Sequence, residues 1–198
     1  AVIAEGVSLE EVCDKLVKAP HPRIAEIDRD MPVIFNEFCT TWGNPSLPNL
    51  QKTAKKLDGS GVRYLVIDAG WYKKGADWSG DLGDWIPSPE LFPKGIGEAA
   101  QLIRSHGLVP GIWFEMENVA GNSDAWKMTD HLLKKDGVPI TSGGRRFWDM
   151  ADPWVQEYLS ERVIGPLRDN GFGYLKVDYN ETIGIGCDGA ESLGEGLR

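Results

Sequence analysis

What most constrains this chain is an alternation that recurs along it: a short apolar run ending in polar or aromatic residues, then a stretch with helical spacing. The apolar runs are Pro32 to Cys39, Val62 to Ala69, Leu108 to Glu115 and Phe172 to Tyr179. Between them, Pro48 to Leu57, Ile96 to Ser105 and Pro153 to Asn170 read as helices. The last is opened by Asp152 as N-cap with Pro153 behind it, and is stopped at Gly171. Strands separated by helices do not pair as hairpins, so the repeat implies a parallel sheet with helices packed outside it.

The fold class expected is α/β: a partial (β/α)8 TIM barrel, about its first four βα units. Ahead of it, Ser8 to Lys18 reads as a short helix, with Ser8 and Glu11 spaced as a capping box and Leu9, Val12, Leu16 and Val17 at helical intervals. Residues 19–30, with Pro20, Pro22 and several charges, read as a linker. This gives a helical lead-in over 1–30 and the first half of a barrel over 31–198. A complete barrel takes about 250 residues, and 198 residues therefore imply a truncated one. Half a barrel leaves open edges, so self-association is expected.

In such a fold the loops at the C-terminal ends of the strands build the site, and here the segments after the second and third strands are long and rich in Trp, Gly, Asp and Pro. Taken in order, the strand ends supply Asn36, Glu37 and Trp42, then Asp68 and Trp71, then Glu115 and Glu117, then Lys176, Asp178 and Asn180. Carboxylates beside a cation and large aromatic faces suit a sugar, whose hydroxyls take hydrogen bonds while its C–H face stacks on indole. Alternation turns Lys176, Asp178 and Asn180 to one side, where they are either paired with one another or meet a ligand. Asp68 could equally form a turn, and Glu115 or Glu117 could hold a neighbouring cation. Most of the eight tryptophans cluster in or near these loops, which suits stacking platforms, whereas Trp154 reads as a core or helix-to-barrel contact.

A net charge of -9 with pI near 4.9 argues against nucleic acid, which needs concentrated Lys and Arg. No apolar run is long enough to span a membrane, and no leader is evident, which points to the cytoplasm. Cys13, Cys39 and Cys187 form no zinc pattern and read as reduced, structural residues; His21, His106 and His131 lie far apart, so no metal or organic cofactor is expected.

Several motifs in register resemble glycoside hydrolase family 36, the bacterial α-galactosidases: Ile34 to Gly43, Asp68-Ala69-Gly70-Trp71, Gly83-Asp84-Trp85, Phe92 to Gly95, Gly111 to Glu115 and Lys176 to Asn180. The resemblance runs from about Met31 to the end and implies a retaining hydrolase of α-galactosides. It implies Asp178 as nucleophile, with Lys176 and Asp68 on sugar hydroxyls and Asn180 on a hydroxyl near the attacked carbon. Trp42, Trp71 and Trp85 would wall the pocket, and Glu115 falls on a motif position counted with the substrate-binding residues. The family commonly has a second Asp where this chain has Ala69, and Trp and Met where it has Val177 and Tyr179. Its general acid comes from a later strand, so the chain by itself is expected to be inactive; Asp188, Glu191 and Glu195 lie in a Gly-rich stretch unlike a further strand. A non-catalytic sugar-binding or interaction domain remains an alternative, as does a relative that acts on another α-linked sugar or transfers galactose.

Overall fold

A computed structural model of the chain describes residues 3–19, 26–75, 77–184 and 186–189. The linker reading falls largely on 20–25, which lie outside the described residues, as do His21, Glu191 and Glu195. The chain divides into two compact units, residues 1–32 and 33–198. In the first, α1 (Leu9–Lys18) is capped by Ser8, whose Oγ accepts from Glu11 N at 3.2 Å. The Glu11 carboxylate accepts from Val7 N, one residue earlier than a capping box would have it.

The second unit runs β1 (Val33–Asn36), α2 (Phe38–Thr41), α3 (Leu47–Leu57), β2 (Val62–Ile67), α4 (Ile96–Ser105), β3 (Val109–Phe114) and β4 (Asn118–Ala120). It continues with β5 (Lys134–Lys135), β6 (Val138–Pro139), β7 (Arg145–Phe147), α5 (Pro153–Leu159), α6 (Gly165–Asp169) and β8 (Tyr174–Val177). Strands β1, β2, β3 and β8 form one sheet in that order, every pair parallel. This curled sheet is the expected partial (β/α)8 barrel.

The register separates two faces. Leu65, Ile67 and Ile112 pack in one core with Leu50 and Ala54 of α3 and Ala99 and Ile103 of α4. Each fully buried leucine or isoleucine there stabilises the fold by roughly 1.5–3 kcal/mol. The opposite face carries Val66, Gly111 and Tyr174 in register, with Trp113 opposite Lys176. Gly111 is needed on this face, because a Cβ would stand 2.9 Å from Val66 Cγ2. Polar residues just beyond the strand ends therefore converge over one rim.

The helix expected over Pro153 to Asn170 is interrupted. Asp152 caps it as foreseen, accepting from Trp154 N at 2.8 Å, but a π turn at Ser160–Ile164 separates α5 from α6. Pro166 is the physical reason: it has no N–H for the carbonyl four residues back, and its ring crowds that carbonyl. Trp154 also differs from expectation. It is 41% exposed and stacks on His131 with ring centroids 3.9 Å apart, instead of entering the core.

Between β3 and α5 an insertion builds its own small pairings, β4 with β7 and β5 with β6, both antiparallel. The segment after β8 clasps it. Asp188 accepts from Asp136 N and Gly137 N, both at 2.8 Å, at the β5–β6 turn. Ser142 Oγ donates to Glu181 at 3.2 Å. Among the described residues no helix is long and apolar enough to cross a membrane.

Candidate active site

Asp68 follows β2 and is buried. Its Oδ2 accepts from Asn36 Nδ2 at 2.6 Å and from Lys176 Nζ at 2.8 Å, so side chains of β1 and β8 meet on one oxygen just past the end of β2. Its Oδ1 accepts from Ala69 N at 2.8 Å. Lys176 is thus paired with Asp68 across the sheet, and part of it remains open to solvent.

Asp178 begins one residue past β8, where its N–H donates to Phe114 O at 2.9 Å. Its Oδ2 accepts from Trp113 Nε1 at 2.9 Å and its Oδ1 from Tyr179 N at 2.9 Å. Burial pushes its carboxyl upward, but hydrogen bonds from Trp113, Asn180 and the Tyr179 backbone, with the charge of Lys176, outweigh that and hold the pKa below the usual carboxylate value. A half-buried carboxylate kept ionised at a strand end is chemically a nucleophile or an electrostatic partner for developing positive charge.

The structure brings Asn36, Asp68, Glu115, Lys176, Asp178 and Asn180 together, with Glu115 in a different position from that expected of a sugar ligand. It is fully buried, and both carboxylate oxygens are taken. Oε1 pairs with Arg145 and accepts from Asn180 N at 3.1 Å, while Oε2 accepts from Asn180 Nδ2 at 3.1 Å. The three tryptophans also separate. Trp71 and Trp85 are 2% and 1% exposed, packed with Tyr72, Trp113 and Phe114, so they back the site without offering a face. Trp42 is 71% exposed. It is therefore the one of the three with a ring free to stack.

Sequence reasoning missed two contributors. Trp113 alternates with Glu115 on the strand, and its register opposite Lys176 is the signal that could have placed it on the inner face. Arg145 lies in a three-residue strand of the insertion, where no periodicity reveals its direction. Among the described residues, His, Cys, Asp and Glu side chains make no cluster of three or more suited to a metal.

Glu37, named at the rim but given no role, is fully buried beneath Asp68. Its Oε1 accepts from Asp68 N at 2.9 Å, and its Oε2 accepts from Thr41 Oγ1. Burial is the largest influence and pushes its pKa to about 7; the two hydrogen bonds oppose this, and the charge of Asp68 adds to it. The fold therefore favours the protonated form, relative to an unfolded value near 4.5. Stability from this group is complete below the unfolded pKa and is lost as pH rises through the folded one. Between pH 4 and 8 the loss should approach roughly 3 kcal/mol, measured by urea unfolding at several pH values. Glu37→Gln should flatten that slope, and an unchanged slope would show that another group causes it.

The family model described as Melibiase matches residues 8–192. The chain belongs to the melibiase family. Its relatives include alpha-galactosidase AgaA of Geobacillus stearothermophilus, 29% identical over 161 residues, covering 79% of this chain and 22% of the relative. A probable alpha-galactosidase C of Aspergillus terreus is 32% identical over 168 residues, covering 78% and 22%. Among solved structures, the GH36 alpha-galactosidase AgaB of Geobacillus stearothermophilus is similar with a TM-score of 0.75 and 27% identity, over 92% of this chain and 26% of that one. The chain thus spans about 22% of the length of such curated melibiase relatives.

Proposed function

We propose that this chain contributes the nucleophile half of a retaining α-galactosidase site. The observation that carries the reading is Asp178: a carboxylate at a strand end, held by Trp113 and its own following backbone and kept ionised. In this reading an Asp178 oxygen attacks the anomeric carbon while the bond to the leaving oxygen breaks, giving a galactosyl ester. A second carboxyl group, about 5 Å away across the scissile bond, protonates the leaving oxygen and then draws a proton from the water that hydrolyses the ester. Lys176 and Asp68 take sugar hydroxyls, Asn180 a hydroxyl near the attacked carbon, and Trp42 offers its ring to the sugar. Trp71 and Trp85 support this floor from beneath.

Asp68 and Glu115 are committed to Lys176 and to Arg145 with Asn180, which leaves neither well suited as the proton donor. The 198-residue chain alone should therefore turn over raffinose-type sugars negligibly, since losing general-acid help costs on the order of 100- to 10,000-fold. The test is a 2-fluoro α-galactoside with an activated leaving group, which needs little protonation and stalls at the ester. Added to the full-length polypeptide that carries this sequence, it should leave one fluorogalactosyl group on Asp178, read by peptide mass spectrometry. A label on another carboxylate would overturn the assignment, and a label-free but sugar-binding protein would favour the non-catalytic alternative.

A further inference from the structure

We propose that Glu115 is a positioning residue that fixes the nucleophile-bearing segment through Asn180. The inference rests on the reading of Asp178 as nucleophile.

The parallel ladder ends at Val177, and the last rung is the bond from Asp178 N to Phe114 O. Residues 178–184, just beyond it, have no regular secondary structure to orient them. The next constraint is Glu115, which holds one residue twice: its Oε1 accepts from the Asn180 backbone and its Oε2 from the Asn180 carboxamide, both at 3.1 Å. Asn180 stands two residues past Asp178 and helps to hold its carboxyl ionised. The clamp from Glu115 thus fixes the segment that carries the half-buried carboxylate proposed to react. The Glu115 carboxylate is so deeply buried that it would be costly alone, and Arg145 supplies its counter-charge from β7.

The charged groups near Asp178 and Asn180 are Lys176 with Asp68, Glu115 with Arg145, and Glu117, whose own pKa is raised by burial and then by the charge of Glu115. Removing Glu115 therefore changes the field as well as the geometry, and the test must separate the two. In Glu115→Gln the Oε1 acceptor for Asn180 N survives while the charge and the Oε2 acceptor for Asn180 Nδ2 are lost; in Glu115→Ala all three go.

In the full-length protein, with an activated aryl α-galactoside, Glu115→Ala should lower kcat by on the order of 100-fold, the scale of a small misplacement of a reacting group, with KM little changed. Glu115→Gln should recover most of that loss, even where both variants melt at lower temperature than the parent. Labelling of Asp178 by the fluorinated sugar should slow in the alanine variant and remain on the same residue. Parent-like kcat in Glu115→Ala would overturn the inference and leave the nucleophile reading standing. So would an equal loss in both variants, which would assign the effect to charge. A label elsewhere than Asp178 in the parent would overturn both.

Discussion

Replacing Asp178 with alanine should abolish turnover in the full-length protein, lowering kcat by roughly 10,000-fold or more, the scale seen when a covalent nucleophile is removed. On the reading of Asp178 as nucleophile, the effect should exceed that at any proposed hydroxyl-binding neighbour, because the whole route through the galactosyl ester would disappear. Binding should survive, since Asp68, Lys176 and Asn180 are untouched; the Lys176 charge, with one counter-anion fewer nearby, still has Asp68 as its direct partner. The variant also vacates space on the attacked face. Azide should therefore restore part of the turnover of an aryl α-galactoside and give β-galactosyl azide, because it enters where the carboxylate stood. Unchanged turnover, or an α-configured azide product, would show that Asp178 is not the attacking group.

Gly70→Ala should be strongly damaging to stability, costing about 3–5 kcal/mol from steric overlap and forbidden backbone geometry together. Gly70 has φ +102, and a Cβ there would stand 2.2 Å from the carbonyl oxygen of Gly43. Gly43 cannot retreat, since it has φ +82 and its own α-carbon faces the Trp78 ring, 2.2 Å from where a Cβ would be. The loops after β1 and β2 thus touch backbone to backbone, directly beside Asp68. Gly59→Ala is the comparison: φ is +69, but nothing lies within 4 Å. Denaturant midpoints of the two variants should differ clearly. Equal losses would mean that the close approach does not limit the fold.

Much of this fold is legible in the sequence because its βα units are long enough to show their period. The helix over Ile96 to Ser105 has the expected limits, and all four strands lie inside their apolar runs. The strands are shorter than those runs because pairing stops where the rim loops depart, and hydropathy does not register hydrogen bonding. Pro166 is visible in the sequence, but whether a proline breaks a helix or is absorbed by a wider turn depends on packing around it. The insertion was not legible, since strands of two or three residues carry no periodicity. Within the candidate site, residue types pointed to a rim on which Asn36, Asp68, Glu115, Lys176 and Asn180 do meet, while direction did not follow from type. Glu115 has the chemistry of a sugar ligand, yet an arginine 30 residues later in the chain turns it into an internal fixture. Trp71 and Trp85 likewise have the faces a sugar needs, but neighbouring aromatic rings already occupy them.

The clasp between Asp188 and the β5–β6 turn joins residues 52 positions apart, and this sets an order of events in folding. A hairpin with two residues per strand cannot persist by itself. It must wait for β8 to dock and deliver Asp188, after the local βα units have formed and the entropic cost of closing the intervening loop has been met. The hairpin and the Asp188 clasp should then become ordered in one late step and open together under native conditions. Their backbone amides, those of Asp136 and Gly137 foremost, should exchange with solvent at a common rate, well ahead of the amides of β2 and β3.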